Sequence, residues 1–231
     1  MKTIGMLGGM SWESSAVYYQ ILNREVQKRL GGIHSAKTLM HSCDFAEMAV
    51  LQSEGRWDEA HDRMSTIAVN LAKAGADFLI ICCNTMHTAA EQMEMAARIP
   101  LLHIADPLGE ALKSAGAKRP ALLGSRFTMT RDDILRGRLK SRFGIAVMVP
   151  EGDDAAEVNR VIYEECTRGQ FLPASRANYR AIIARLVAQG ADSVILGCTE
   201  LPLLVMPEDS SVPLFDTTTL HALAAVEKAL A

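Results

Sequence analysis

The chain has 231 residues, a formal net charge of −3 and hydrophobic residues at 49% of its positions. That length suits one large α/β domain or two of about 100 residues each, and the mild acidity gives no electrostatic reason to expect nucleic acid or an anionic membrane as partner. No apolar stretch approaches a membrane span and the N-terminus does not read as a signal peptide, so the expected compartment is the cytosol.

In chain order, Lys2 to Leu7 reads as a first strand, Gly8-Gly9-Met10-Ser11 as the turn after it, and Glu13 to Leu30 as a helix that meets Gly31-Gly32. Strand, glycine turn and helix open a βαβ unit. Ala36 to Ser42 is a second strand, Trp57 to Ala74 a helix, Phe78 to Cys82 a third strand and Thr88 to Arg98 a helix, with Leu101 to Ile104 as a short fourth strand. The pattern then recurs: strands at Ala121 to Leu123 and Ala146 to Val149, helices at Ala155 to Arg168 and Ala174 to Gln189, and a strand at Ser193 to Leu196. Leu214-Phe215-Asp216 followed by Thr217 to Leu230 is a strand-to-helix exit expected to pack back on the first half. Such alternation predicts an α/β fold with parallel sheets covered by helices on both faces.

Two copies of one signature sharpen this. GADFLIICCNTMH places Gly75 and Cys83, GADSVILGCTE places Gly190 and Cys198, and both pairs lie 115 residues apart, while Leu7-Gly8 and Leu123-Gly124 lie 116 apart. Three landmarks at nearly one offset argue for an internal duplication. The expected organisation is two pseudo-symmetric, doubly wound lobes, residues 1–104 plus 214–231 and residues 105–213. Ligands of open α/β sheets bind outside the carboxyl ends of the strands, which is where both cysteine motifs and both Leu-Gly turns fall. Lobes facing one another would bring Cys83 and Cys198 to opposite walls of one cleft.

Five cysteines at irregular spacing point to free thiols in a reducing compartment. Cys82 continues an apolar run and reads as packing, and Cys43 and Cys166, which have no partner in the repeat, read as structural. Cys83 and Cys198 differ: each stands at a strand exit, each is followed by hydrogen-bonding residues (Asn84-Thr85, Thr199-Glu200), and they recur in both halves. Zinc on Cys82, Cys83, His87, His103 and Cys198 is the weaker reading, because vicinal cysteines on a strand point to opposite faces and no Cys-x-x-Cys occurs. A dinucleotide is disfavoured by the order G-x-x-G-G in place of G-x-G-x-x-G, and a redox pair by the absence of a resolving motif. Ser11, Asn84 and Thr199 have the look of helix N-caps, His87 stays open between a capping network and catalysis, and Arg126 and Arg136 to Arg142 read as a solvated helical face.

Two thiols on opposite sides of a small ligand suit one reaction: removing a proton from one face of a carbon and returning one to the other, with a thiolate as base and a thiol as acid and with neither metal nor pyridoxal cofactor. A helix N-terminus can lower a thiol pKa toward neutrality for this purpose.

At IGMLGGMSWESS, CNTMH, GCTE and the FDT before the last helix, the chain resembles the aspartate/glutamate racemase superfamily over essentially its whole length. The resemblance implies a cofactor-independent amino-acid racemase with Cys83 and Cys198 as the acid/base pair. It implies that Asn84, Thr85 and Thr199 hold the α-carboxylate and amino group, that Met10, Ser11 and Thr128 line the same cleft, and that the protein forms a homodimer. Many aspartate racemases carry an arginine in a P-x-x-x-R-T-like segment, where this chain reads SCDFAEMAVLQSEGRW with Gln52 as the candidate, and a lysine where it reads Gly169-Gln170. Aspartate or glutamate as substrate is therefore inferred from the family. The alternatives are a dicarboxylate isomerase or decarboxylase that uses one cysteine, for which two cysteines are one too many, and a small-metabolite-binding protein without turnover.

Overall fold

The apolar runs form two parallel sheets, and the order of strands is the same in both. The computed structural model covers Met1–Ala231. In the first unit, Met1–Ile104 with His221–Ala231, the elements are β1 (Ile4–Gly8), α1 (Trp12–Leu30), β2 (Thr38–Ser42), α2 (Phe45–Ser53), α3 (Trp57–Lys73), β3 (Phe78–Ile81) and α4 (Ala90–Ala97). In the second, Ala105–Leu220, they are α5 (Ala105–Ser114), β4 (Pro120–Leu123), α6 (Arg126–Thr130), α7 (Gly137–Phe143), α8 (Gly152–Glu164), α9 (Pro173–Ala188), β5 (Ser193–Leu196), α10 (Leu201–Leu204) and β6 (Leu214–Asp216). The helix α11 (Thr217–Leu230) begins in the second unit and belongs to the first from His221 onward. No helix is long and apolar enough to cross a membrane.

The first sheet runs β2-β1-β3 and is extended by a parallel bridge from Leu79 to Leu101; the second runs β4-β5-β6 and is extended by a bridge from Ala121 to Met148. Matching β1 to β4 and β3 to β5 makes the two orders identical once the single-residue bridges are counted as strands. The expected strands at Leu101–Ile104 and Ala146–Val149 shrink to those bridges, and the helix expected from Ala155 to Arg168 ends at Glu164 in a tighter turn over Cys166–Arg168.

One boundary is corrected. Residues 214–220 belong to the second unit, not the first, because β6 pairs with β5 from Val194↔Leu214 to Leu196↔Asp216. From His221, α11 then supplies Ala222, Ala225, Val226 and Ala229 to a buried cluster with Tyr18, Leu22 and Val26 of α1 and with Ile4, Met6, Phe78, Ile80 and Cys82 of the sheet. The opposite face packs Leu79, Ile81 and Cys83 against Ala60, Met64, Ala68 and Leu71 of α3. Strand alternation thus sends neighbouring Cys82 and Cys83 to opposite faces. In the second unit Val194 and Leu196 pack against Val158, Val161 and Ile162 of α8 and Tyr179, Ile182 and Leu186 of α9, with Cys198 partly buried against the same cluster.

The repeated Gly-Ala-Asp has one job in both places. Gly75 and Gly190 end their helices at φ of +101° and +97°, a region L side chains avoid. Ala76 N then donates to Leu71 O and Ala191 N to Leu186 O, each at 3.0 Å. The aspartate closes the motif onto the neighbouring strand: Asp77 Oδ2 accepts from Thr3 N at 2.6 Å, and Asp192 Oδ2 accepts from Lys118 N at 2.7 Å and Arg119 N at 2.9 Å. Partial burial works against the Asp192 carboxylate, but these N–H groups with Ser193 outweigh it and hold its pKa below the usual range.

A lowered folded-state pKa contributes stability above the unfolded value and loses it as pH falls through the folded one. Asp192→Ala should therefore cost about 1 kcal/mol at neutral pH, since the aspartate is solvent-accessible and its bonds are worth about the ordinary net amount. Urea denaturation should show a lower midpoint for the variant at pH 7 and a shrinking deficit in acid; equal midpoints at pH 7 would count against the clamp.

Candidate active site

Each candidate cysteine stands one residue beyond the last hydrogen bond between two central strands. Cys82 N donates to Leu7 O at 2.8 Å and Gly197 N to Leu123 O at 2.7 Å; Cys83 and Cys198 come next. Glycine at 197 keeps the approach close: a Cβ there would lie 2.4 Å from Leu122 Cδ1 and 3.0 Å from Leu123 O, so a side chain would displace the buried Leu122. The two sulfurs therefore occupy the same place in their respective sheets, at carboxyl strand ends.

In the first unit the β1–α1 turn brings Met10 and Ser11, both buried, to the edge where Cys83 leaves β3. Gly9 is forced by close approach: its φ is +86° and a Cβ would lie 2.2 Å from Cys43 O. Backbone packing thus accounts for the glycine at 9, whose N–H donates to Ser15 Oγ at 2.8 Å. Met10, Met48, Met86 and Cys83 belong to one buried cluster, and buried Gln52 of α2 donates Nε2–H to Met86 Sδ at 3.2 Å. Asn84 and Thr85, also buried, follow Cys83 into a short 3-10 turn over Thr85–Ala89.

His87 sits in that turn and fixes the cysteine's backbone. Its Nε2 accepts from Ile104 N at 3.1 Å, so Nδ1 carries the proton and donates to Cys83 O at 2.8 Å. Burial, then the neighbouring His103 and His221 rings, keep its pKa well below 6.5. His221 is equally committed: Nε2 faces Leu102 O at 2.9 Å and must donate, which leaves Nδ1 to accept from Tyr18 OH at 2.9 Å. The His87 ring is neutral, and of the readings open for His87 its two hydrogen bonds favour a structural network. No group of three or more His, Cys, Asp or Glu side chains is arranged to hold a metal.

In the second unit Cys198 Sγ donates to Glu200 Oε2 at 2.9 Å, and Thr199 Oγ1 donates to the same oxygen at 3.1 Å. Glu200 is 2% exposed. Burial, and then the Glu200 charge and hydrogen bond, push the Cys198 thiol well above its ordinary pKa. The expectation of a helix terminus lowering the thiol pKa is reversed at this cysteine. Thr128, buried, packs where Cβ atoms on Gly124 or Gly197 would stand 3.1 and 3.5 Å from its side chain, and it is linked to Ser125 Oγ at 3.2 Å. The first residues of α11 bracket the cysteine from the other side: Thr217 Oγ1 donates to Leu196 O at 2.8 Å and Thr218 Oγ1 to Thr199 O at 3.4 Å.

The first unit thus groups Met10, Ser11, Gln52, Cys83, Asn84 and Thr85, and the second groups Thr128, Cys198 and Thr199. None of the three expected N-caps caps its helix through the side chain: Ser11 and Asn84 make no such bond, and the cap position of α10 is Glu200, not Thr199. Ser11 instead receives Ser14 Oγ and Ser15 Oγ on its carbonyl, at 3.2 and 2.9 Å. Glu200 joins the second group through its burial and its bond to the sulfur, neither of which its place two residues after the cysteine reveals.

Two α/β units of identical strand order, each ending a central strand in a cysteine, define a duplicated α/β enzyme fold. The Asp/Glu/hydantoin racemase family model matches residues 7–225, and the chain belongs to that family, whose racemases are isomerases. It is 26% identical over 233 residues to the broad-specificity amino-acid racemase RacX of Bacillus subtilis, covering 99% of this chain and 98% of that one. Among solved structures it is similar to a candidate Asp/Glu racemase from Yersinia pestis, at 46% identity, full coverage of both chains and a TM-score of 0.91. It is also similar to an aspartate racemase homologue from Pyrococcus horikoshii, at 29% identity, full coverage of both and a TM-score of 0.84.

The neutral state of His87 is open to test. Ring nitrogen shifts should keep the Nδ1–H pattern from about pH 8 down to about pH 6, across the range where an ordinary histidine titrates. Because the unfolded chain takes up this proton more readily, the stability that depends on a neutral ring is lost as pH falls below the unfolded value. An imidazolium signal for His87 within that window would overturn the assignment.

Proposed function

We propose that this protein is a cofactor-independent amino-acid racemase in which Cys83 and Cys198 act as opposed acid and base at Cα. The observation that carries the reading is the equivalence of the two thiols: same strand position, same face, same distance past the ladder, in two units with the same strand order. In one direction the Cys83 thiolate takes the Cα proton and the Cys198 thiol returns one to the other face; in the reverse direction the roles exchange. Asn84, Thr85 and Thr199, with backbone N–H groups, hold the α-carboxylate and stabilise the charge that builds on it as the carbanion forms. Met10, Ser11 and Thr128 complete the wall around the reacting carbon. A homodimer and the cytosol remain the assembly and compartment that the resemblance and the composition lead us to expect.

The substrates proposed are aspartate and glutamate, as the family name suggests, with a qualification from the side chains. No lysine or arginine is among the buried polar residues of either unit, and Gln52 offers its amide to Met86, in an apolar cluster that also holds Met10 and Met48. A neutral donor separates a carboxylate from its amide weakly, and methionine surfaces adapt to side chains of different shape. We therefore expect kcat/KM for asparagine and glutamine to fall within about tenfold of the values for aspartate and glutamate, far from the 10,000-fold that a dedicated polar site achieves. Coupled measurements on the four L-amino acids would decide, and a preference for the acids above a thousandfold would require a cation at this wall.

The two-thiol mechanism is tested by deuterium exchange at Cα. Cys83→Ser and Cys198→Ser should each abolish interconversion, by roughly 100- to 10,000-fold as for loss of a general base. Each should retain slow exchange for one enantiomer only, and the retained enantiomer should differ between the two variants. Either variant racemising near the parent rate would make that cysteine structural.

A further inference from the structure

Racemisation through two thiols leaves one question that depends on the two-cysteine reading: where the proton of Cys198 goes when that residue must act as base. Charge does not favour a resting thiolate there. The titratable groups acting on Cys198 are Glu200 and buried Cys166, the latter with a thiol itself pushed up to about 12 by burial and by Glu200 and Glu165. Tyr179 of α9 also faces this cluster, its hydroxyl donated to Val158 O at 2.9 Å. Glu165 is occupied by Arg160 Nη1 at 2.9 Å and Ser175 Oγ at 2.5 Å, and Arg160 in turn is engaged by Glu157. The carboxylate bonded to the sulfur is Glu200, at 2.9 Å and buried.

We propose that Glu200 is the proton acceptor that converts the Cys198 thiol to the thiolate and returns the proton when Cys198 has acted as acid. The step breaks Sγ–H and forms Oε2–H, so that one negative charge moves from carboxylate to sulfur and nothing else changes. The thiolate then takes the Cα proton and Cys83, as thiol, donates to the opposite face. At the end Cys83 is the thiolate, Cys198 a thiol and Glu200 a carboxylic acid. The opposite direction runs these states backward: Cys198 gives its proton to carbon and is reprotonated by Glu200. Through the cycle a single charge alternates between Glu200 and Cys83. Thr199 Oγ1, donating to the same oxygen at 3.1 Å, holds the carboxylate toward the sulfur.

Glu200→Gln keeps the size and removes the proton acceptor. In the Cys83→Ser background the exchange that remains runs through Cys198, and adding Glu200→Gln should lower it by roughly 100-fold or more. In the Cys198→Ser background the same substitution should cost at least about 30-fold less. A second readout uses the single variant: alkylation of Cys198 by iodoacetamide, followed by peptide mass spectrometry, should move to lower pH in Glu200→Gln, because a neighbouring negative charge has been removed. Faster alkylation combined with slower exchange is a signature that a merely structural role does not produce. Equal losses in both backgrounds, or unchanged exchange through Cys198, would overturn the proposal and leave the two-cysteine reading intact. Absence of exchange in both single-cysteine variants would overturn that reading, and this inference with it.

Discussion

Parallel pairing between the first and third strand segments of each unit is the constraint from which the rest follows. Leu7 lies opposite Ile81, and Leu123 opposite Leu196. Strand side chains alternate strictly, so this register decides which face every later residue takes, and a slip of one position would exchange Cys83 with Cys82. Asp77 and Asp192 guard the register at the opposite end by holding amides of the neighbouring strand. The repeated Gly-Ala-Asp is therefore a clamp at the start of a strand, and the chemistry appears at its end.

Equivalent positions do not have equivalent surroundings. Cys83 emerges among methionines, with its carbonyl fixed by a neutral imidazole that is itself tied to Ile104. Cys198 emerges beside a buried carboxylate and two threonines of α11 that grip the carbonyls on either side of it. Burial of a charge is tolerated when hydrogen bonds meet it, and Glu200 is met by the thiol and by Thr199. The backbones match at the two positions, and the residues after the strands make the two thiols different.

Much of this was legible because it is local. Periodicity places the strand at Ser193–Leu196 and the helices α1, α3, α9 and α11 within a residue or two, and the offset of 115 anticipates identical sheet orders. What escaped depends on distant partners. Helix α5 carries Pro107 and Gly109, which argue against helix; Gly109 is there because a Cβ would stand 2.4 Å from the Phe143 ring. Helix α2 shows little amphipathic pattern, and only the Asp44 cap, accepting from Ala46 N at 3.0 Å, marks its start. The three residues of β6 cannot announce which sheet they will join. The cysteines could be picked out from their repetition, whereas Glu200 looks like any glutamate until its burial is known.

The passage of α11 from one unit to the other orders events during synthesis. Residues 105–220 hold the second unit in one continuous stretch, while the first lacks part of its core until His221 and the residues beyond it have been made. Until those residues are made, Ile4, Met6, Phe78 and Ile80 lack the alanines and valine of α11 that pack against them. The half that is translated first is finished last, and for that interval one face of its sheet is a surface that chaperones would have reason to shield.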